Sequence, residues 1–69
     1  MYSFTAAHRY IPLGSYVRVT NLRNKRSIVV LVNDRTAKHN KRLDLSYVAA
    51  LKLGISGTNT VLIEVLTGK

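Results

Sequence analysis

Ser27-Ile28-Val29-Val30-Leu31-Val32-Asn33-Asp34-Arg35 passes from an apolar run into an amide, a carboxylate and a guanidinium. Ile28 to Val32 is too short for a buried helix and predicts a strand buried on both faces. A small closed β-barrel is the setting such a strand implies. Asn33, Asp34 and Arg35 then stand where the strand leaves the core, because groups that are costly to bury collect at a rim.

Working outward, Tyr16 to Asn21 alternates, with Val17 and Val19 on one face and Arg18 and Thr20 on the other, as expected of a half-exposed strand. Leu22 to Arg26 is polar and basic between two strand patterns, which predicts a hairpin loop with Asn24 in the left-handed conformation. Upstream, Pro12 fixes φ and Gly14 permits φ > 0, so Tyr10 to Gly14 forms a tight turn. Thr5-Ala6-Ala7-His8-Arg9 has small residues that permit close backbone approach.

Downstream of Arg35, Thr36 to Arg42 has no apolar residue larger than Ala and predicts an exposed basic loop. Leu43-Asp44-Leu45 alternates again. Ser46 is placed to cap a short helix from Tyr47 to Leu53, ended by Gly54 with Lys52 in the last turn. Val48, Leu51 and Ile55 are its expected inner stripe. Ser56 to Asn59 is a loop, and Thr60 to Leu66, rich in Val, Leu and Ile, a final strand.

Sixty-nine residues allow one domain, and a chain of this size buries only about 60% of its unfolded surface on folding. With no cysteine, neither disulfides nor thiolate metal sites supplement the core. Met1 to Phe4 lacks the basic and apolar regions of a signal peptide, and no run approaches a membrane span of about 18 residues. Eleven Lys and Arg against three Asp and Glu give a formal charge of +8, which favours anionic partners. A hydrophobic fraction of 46% nevertheless argues for a compact fold.

Thr5-Ala6-Ala7-His8-Arg9, Ile11-Pro12-Leu13-Gly14, Val17 to Leu22, Val29 to Arg35 and Leu43-Asp44-Leu45-Ser46 with its Ala-Ala-Leu-Lys-Leu-Gly tail follow one another in a familiar order and spacing. Over nearly the whole chain this resembles the double-psi β-barrel domain of the rare lipoprotein A family. The resemblance implies a mainly β fold with one short α-helix, residues 1–69 being one such domain shortened at its N-terminus. It also implies a bacterial periplasmic or outer-membrane setting, and a lytic transglycosylase that cuts peptidoglycan strands stripped of stem peptides.

Two departures from the family pattern have structural meaning. The family's domain begins further upstream, with a strand and an acidic segment that supplies a Glu, so a first strand is expected to be lacking and a strand edge left open to self-association. Thr36-Ala37-Lys38 and Asn24-Lys25 stand where the family has Gly-Pro-Phe and Asn-Gly.

Lytic transglycosylation needs an acid for the glycosidic oxygen and a base for the sugar's own hydroxyl. Asp34, Asp44 and Glu64 are the acidic residues present. Asp34 at the rim is the best candidate, with Arg35 expected to hold it ionised, while Glu64 is expected to face outward in mid-strand. By resemblance His8 is its catalytic partner, and Arg35, Asn33 and Thr5 bind substrate. Asp44, Ser46 and Gly14 are assigned structural roles, with no metal and no cofactor. The expected partner is the glycan strand, with a membrane reached only through a lipid anchor that this chain lacks. A glycan-binding barrel without catalysis is the alternative. A small nucleic-acid-binding barrel is a third class, disfavoured because the basic run has no aromatic residue on which bases could stack.

Overall fold

The computed structural model describes residues 4–36, 43–57 and 60–67. The elements are β1 (Thr5–Ala7), β2 (Tyr16–Asn21), β3 (Ser27–Asp34), β4 (Asp44–Leu45), α1 (Tyr47–Leu53) and β5 (Val61–Thr67). They form a five-stranded sheet in the order β4-β1-β3-β2-β5. β1 runs parallel to β3, and the remaining pairings are antiparallel. Five strands and one short helix are the mainly β make-up expected of a small barrel from the sequence, and among the described residues β4 and β5 are the outermost strands of the sheet. β1 itself was not evident as a strand, because three residues are too few to show a period.

One face of the sheet carries the core. Ala6, Val17, Val19, Val30 and Val32 are buried there together with Ala49 and Leu53 of α1, and Phe4, Ile11, Ile28, Leu43, Leu45, Ile55, Val61 and Ile63 pack around them. β3 is therefore not buried on both faces. Val30 and Val32 face α1, whereas Val29 is 42% exposed opposite Arg18. The continuous apolar run conceals an alternation that only the position of the helix reveals. On the outer face Arg18 meets Glu64 at 3.5 Å, an exposed pair that adds little stability.

α1 has the expected bounds but turns a different stripe inward. Ala49 and Leu53 are buried, while Leu51 is 58% exposed and Val48 is also exposed. Positions four apart share a face, and the small Ala49 side chain permits a closer approach to the sheet than Val48 would. Ile55 does pack on the core. The Ser46 Oγ accepts the Ala49 N–H at 3.3 Å, capping the helix start. At the other end, Gly54 takes φ 75° and donates to Leu51 O, while Ile55 N–H reaches Ala50 O at 2.9 Å, the Schellman arrangement.

The β2–β3 hairpin is tied to this helix end. Asn21, buried, and Asn24 each donate an amide N–H to Leu53 O at 2.9 Å. Their Oδ1 atoms accept the backbone N–H groups of Arg23 and Arg26, and the Arg26 guanidinium reaches Lys52 O. The left-handed residue is Lys25 at φ 66°, not Asn24. Asn24 is held by its two side-chain bonds, and the reversal falls to its neighbour. Gly14 has φ 90°, and Ser15 N–H bonds Pro12 O at 3.1 Å, closing the expected turn. Of the basic loop, Ala37 to Arg42 lie outside the described residues.

Two substitutions test this packing. A Cβ at Gly54 would lie 2.9 Å from Asn24 Nδ2 in a left-handed backbone, so Gly54→Ala should cost about 1–3 kcal/mol, read as a fall in melting temperature. Ser15 Oγ is buried with no hydrogen-bond partner among the described residues. Removing an unsatisfied hydroxyl relieves its desolvation penalty, so Ser15→Ala should raise stability by about 1 kcal/mol in urea denaturation.

Candidate active site

Because β1 and β3 are parallel, their C-terminal ends open at the same rim of the sheet. The chain places Ala7-His8-Arg9 at one end and Asn33-Asp34-Arg35 at the other, so residues far apart in sequence arrive side by side. A register shift after Ala6 brings Ala7 opposite Asp34. His8 N–H then donates to Asp34 O at 3.1 Å, extending the pairing past the strand end.

His8 is 7% exposed. Its Nδ1 accepts the backbone N–H groups of Tyr10 at 3.0 Å and Ile11 at 3.2 Å. The neutral ring so held carries its proton on Nε2 and presents a donor there. Asp34 is exposed, and its Oδ1 accepts the Arg35 backbone N–H at 2.8 Å. Arg35 does not form the ion pair with Asp34 that their adjacency suggests. Its guanidinium donates to the carbonyls of Ile11 and, at 3.4 Å, His8. A side chain leaving a strand end reaches across to the neighbouring loop more readily than it folds back on the preceding residue. Arg35 thus fastens the His8-to-Gly14 loop over the end of β3. Gly14 N–H to Val32 O at 2.8 Å fastens the far end of that loop.

Other residues singled out in the sequence have definite places. Asn33 is exposed beside Asp34. Thr5 lies at the opposite end of β1 from the rim. It donates its N–H to Ser46 Oγ at 3.3 Å and accepts from Ser46 N–H at 2.8 Å, so Ser46 joins β1 to the start of α1. Asp44, half-buried, pairs with Ala7 across the β1–β4 ladder. Ala7 is therefore flanked by Asp34 on one side and Asp44 on the other, a row in which the two outer Cα atoms are about 10 Å apart at the usual strand spacing. Glu64 lies elsewhere, against Arg18.

Tyr10 had been read only as part of a turn. It is 62% exposed, with its ring 6.3 Å from that of His8 and Arg9 over its face. An aromatic two residues after the histidine, in a loop too short to bury it, was the available signal. Chemically, the rim offers one exposed carboxylate, an imidazole donor and an exposed aromatic surface, a set suited to proton transfer on a polyhydroxyl ligand.

A family model described as lytic transglycolase matches residues 1–65. The endolytic peptidoglycan transglycosylase RlpA of Vibrio cholerae is 56% identical over 70 residues, covering 97% of this chain and 27% of the relative. The protein of the same name from Pseudomonas aeruginosa is 52% identical over 66 residues, covering 94% and 19%. A probable endolytic peptidoglycan transglycosylase RlpA of a Nostoc species is 54% identical over 67 residues, covering 93% and 18%. The chain spans about a quarter or less of the length of these relatives. With a family model matched along almost its entire length and relatives sharing half its residues, the chain belongs to the lytic transglycolase family as an RlpA-like double-psi β-barrel domain.

Proposed function

We propose that this chain supplies the barrel of a peptidoglycan lytic transglycosylase that cuts glycan strands stripped of stem peptides and leaves anhydromuramyl ends. The observation that carries this reading is the rim, where Asp34 stands exposed beside buried His8, the two joined through the backbone. The relatives, endolytic peptidoglycan transglycosylases by name, supply the reaction class. Peptidoglycan lies outside the cytoplasmic membrane, so the site of action is extracytoplasmic, and we place it in the periplasm or at the outer membrane.

In the reaction, the glycosidic oxygen gains a proton while the muramoyl C6 hydroxyl loses one. The freed oxygen closes on C1 as the glycosidic bond breaks, giving the internal anhydro ring. We assign the hydroxyl proton to the Asp34 carboxylate. His8, through Nε2–H, orients a sugar oxygen or the carboxylate. Asn33 and Arg35 flank the cut. Thr5 would meet a strand running along β1. The general acid we place on the acidic segment that precedes Thr-Ala-Ala-His in the family, because protonating the glycosidic oxygen near neutral pH calls for a carboxyl group kept protonated by its surroundings, and Asp34 is exposed. Asp44, one strand beyond Ala7, holds the rim's outer wall.

Two measurements test these assignments. Extended through that upstream segment, the domain should release anhydromuramyl products detectable by mass spectrometry, and Asp34→Asn should lower the rate by about 10² to 10⁴. Residues 1–69 alone should release little; robust release by them would place the acid among Asp34, Asp44 and Glu64. Arg35→Ala should free the His8-to-Gly14 loop and cost about 1.5–3 kcal/mol of stability. Because one nitrogen, Nη1, meets both carbonyls, Arg35→Lys, whose ammonium carries three donors, should restore part of that loss.

A further inference from the structure

At the end of β3 remote from Asp34, the β2–β3 hairpin and the last turn of α1 border a cleft lined by Arg26, Ser27, Ile28, Leu51 and Lys52. Two cations, Arg26 and Lys52, line it beside the apolar Ile28 and Leu51, and Arg23 and Lys25 belong to the same hairpin. No acidic residue compensates them. The chain's three carboxylates are Asp34 and Asp44 at the opposite rim and Glu64 beside Arg18.

Two further observations point to an external anion. Lys25, at φ 66°, is the only non-glycine residue with positive φ among the described residues. The reversal falls at Lys25 because Asn24 is engaged with the helix end, and it puts a further cation on the hairpin beside the cleft. The helix-end carbonyl that would otherwise draw these cations inward, Leu53 O, is already served by the amides of Asn21 and Asn24. Arg26 spends one of its donors on Lys52 O, and a guanidinium has five.

We propose that this cleft is a second glycan subsite that reads a carboxylate, namely the lactyl carboxylate a muramoyl residue bears once its peptide amide is hydrolysed. The inference rests on the glycan reading above. While the peptide is attached, that carbon is a neutral amide with a bulky substituent. Once stripped, it is a small anion beside a methyl group, matched by a cleft that two cations line together with Ile28 and Leu51. The eight residues of β3 span roughly 25 Å between cleft and rim, so one strand occupies both only along several sugars. Recognition at that separation favours binding within a strand over binding at its end.

The test measures binding of the chain to soluble muramoyl glycan oligomers with free lactyl carboxylates and to the same oligomers converted to methylamides. The chain should bind the free acids about tenfold tighter. Arg26→Gln combined with Lys52→Gln should bind both forms alike while still melting cooperatively by circular dichroism. Lys25→Gly, which suits the backbone at that position, should lower the preference a few-fold without loss of folding. Equal binding of both forms by the unaltered chain overturns this inference alone, as does a tenfold preference that survives all three substitutions. Failure to bind either form overturns the glycan reading as well. A DNA duplex that binds more tightly than the free acids, and loses that affinity through Arg26 and Lys52, would make the cleft a nucleic-acid site and overturn the proposal.

Discussion

β3 is hydrogen-bonded along both edges, parallel to β1 and antiparallel to β2, and the other elements take their positions from it. β1 has three residues and β4 two, lengths that have no stability of their own. They persist because β3 offers a complete partner edge and β1 passes that edge on to β4. The parallel sense of the β1–β3 pair has a chemical result. Both strands end at one rim, and the residues that follow each of them meet there.

The rim is then held by backbone bonds and one guanidinium, without reliance on carboxylate pairs. His8 donates its N–H to β3 and accepts at Nδ1 the backbone N–H groups of Tyr10 and Ile11, while Arg35 returns from β3 to the carbonyls of that loop. Such an arrangement leaves the Asp34 carboxylate one local backbone partner and open solvent. By directing Arg35 to carbonyls, the fold keeps position and charge neutralisation separate.

Much of this was legible in the sequence where a short-range rule decides the outcome. The alternation of Val17 and Val19 with Arg18 gave β2, and Ser46 and Gly54 bounded α1 to the residue, because capping depends on nearest neighbours. What failed depended on partners distant in the chain. Val29 was read as buried because an apolar run does not say which of its faces a seven-residue helix covers. Ala49 was overlooked because its merit lies in the closeness it permits, which is a property of the pair. Asn24 was given the left-handed turn on propensity, but the carbonyl of Leu53 claims its amide. At the site, the residues His8, Asp34 and Arg35 were all singled out. The direction of the Arg35 side chain was not readable, since nothing local places the carbonyls of His8 and Ile11 within its reach.

Lys25 has one more effect, on the chemical durability of the chain. An asparagine followed by glycine ages quickly, because the unhindered backbone nitrogen of the next residue attacks the side-chain amide and the group emerges as a carboxylate. Asn24 holds the end of α1 through that amide, as a donor to Leu53 O. Deamidation would replace the donor with an acceptor-only group facing a carbonyl, turning an attraction into a repulsion at the joint between hairpin and helix. The lysine side chain after Asn24 obstructs the attack, so this hairpin keeps its tie to the helix for longer than one with glycine at position 25 would.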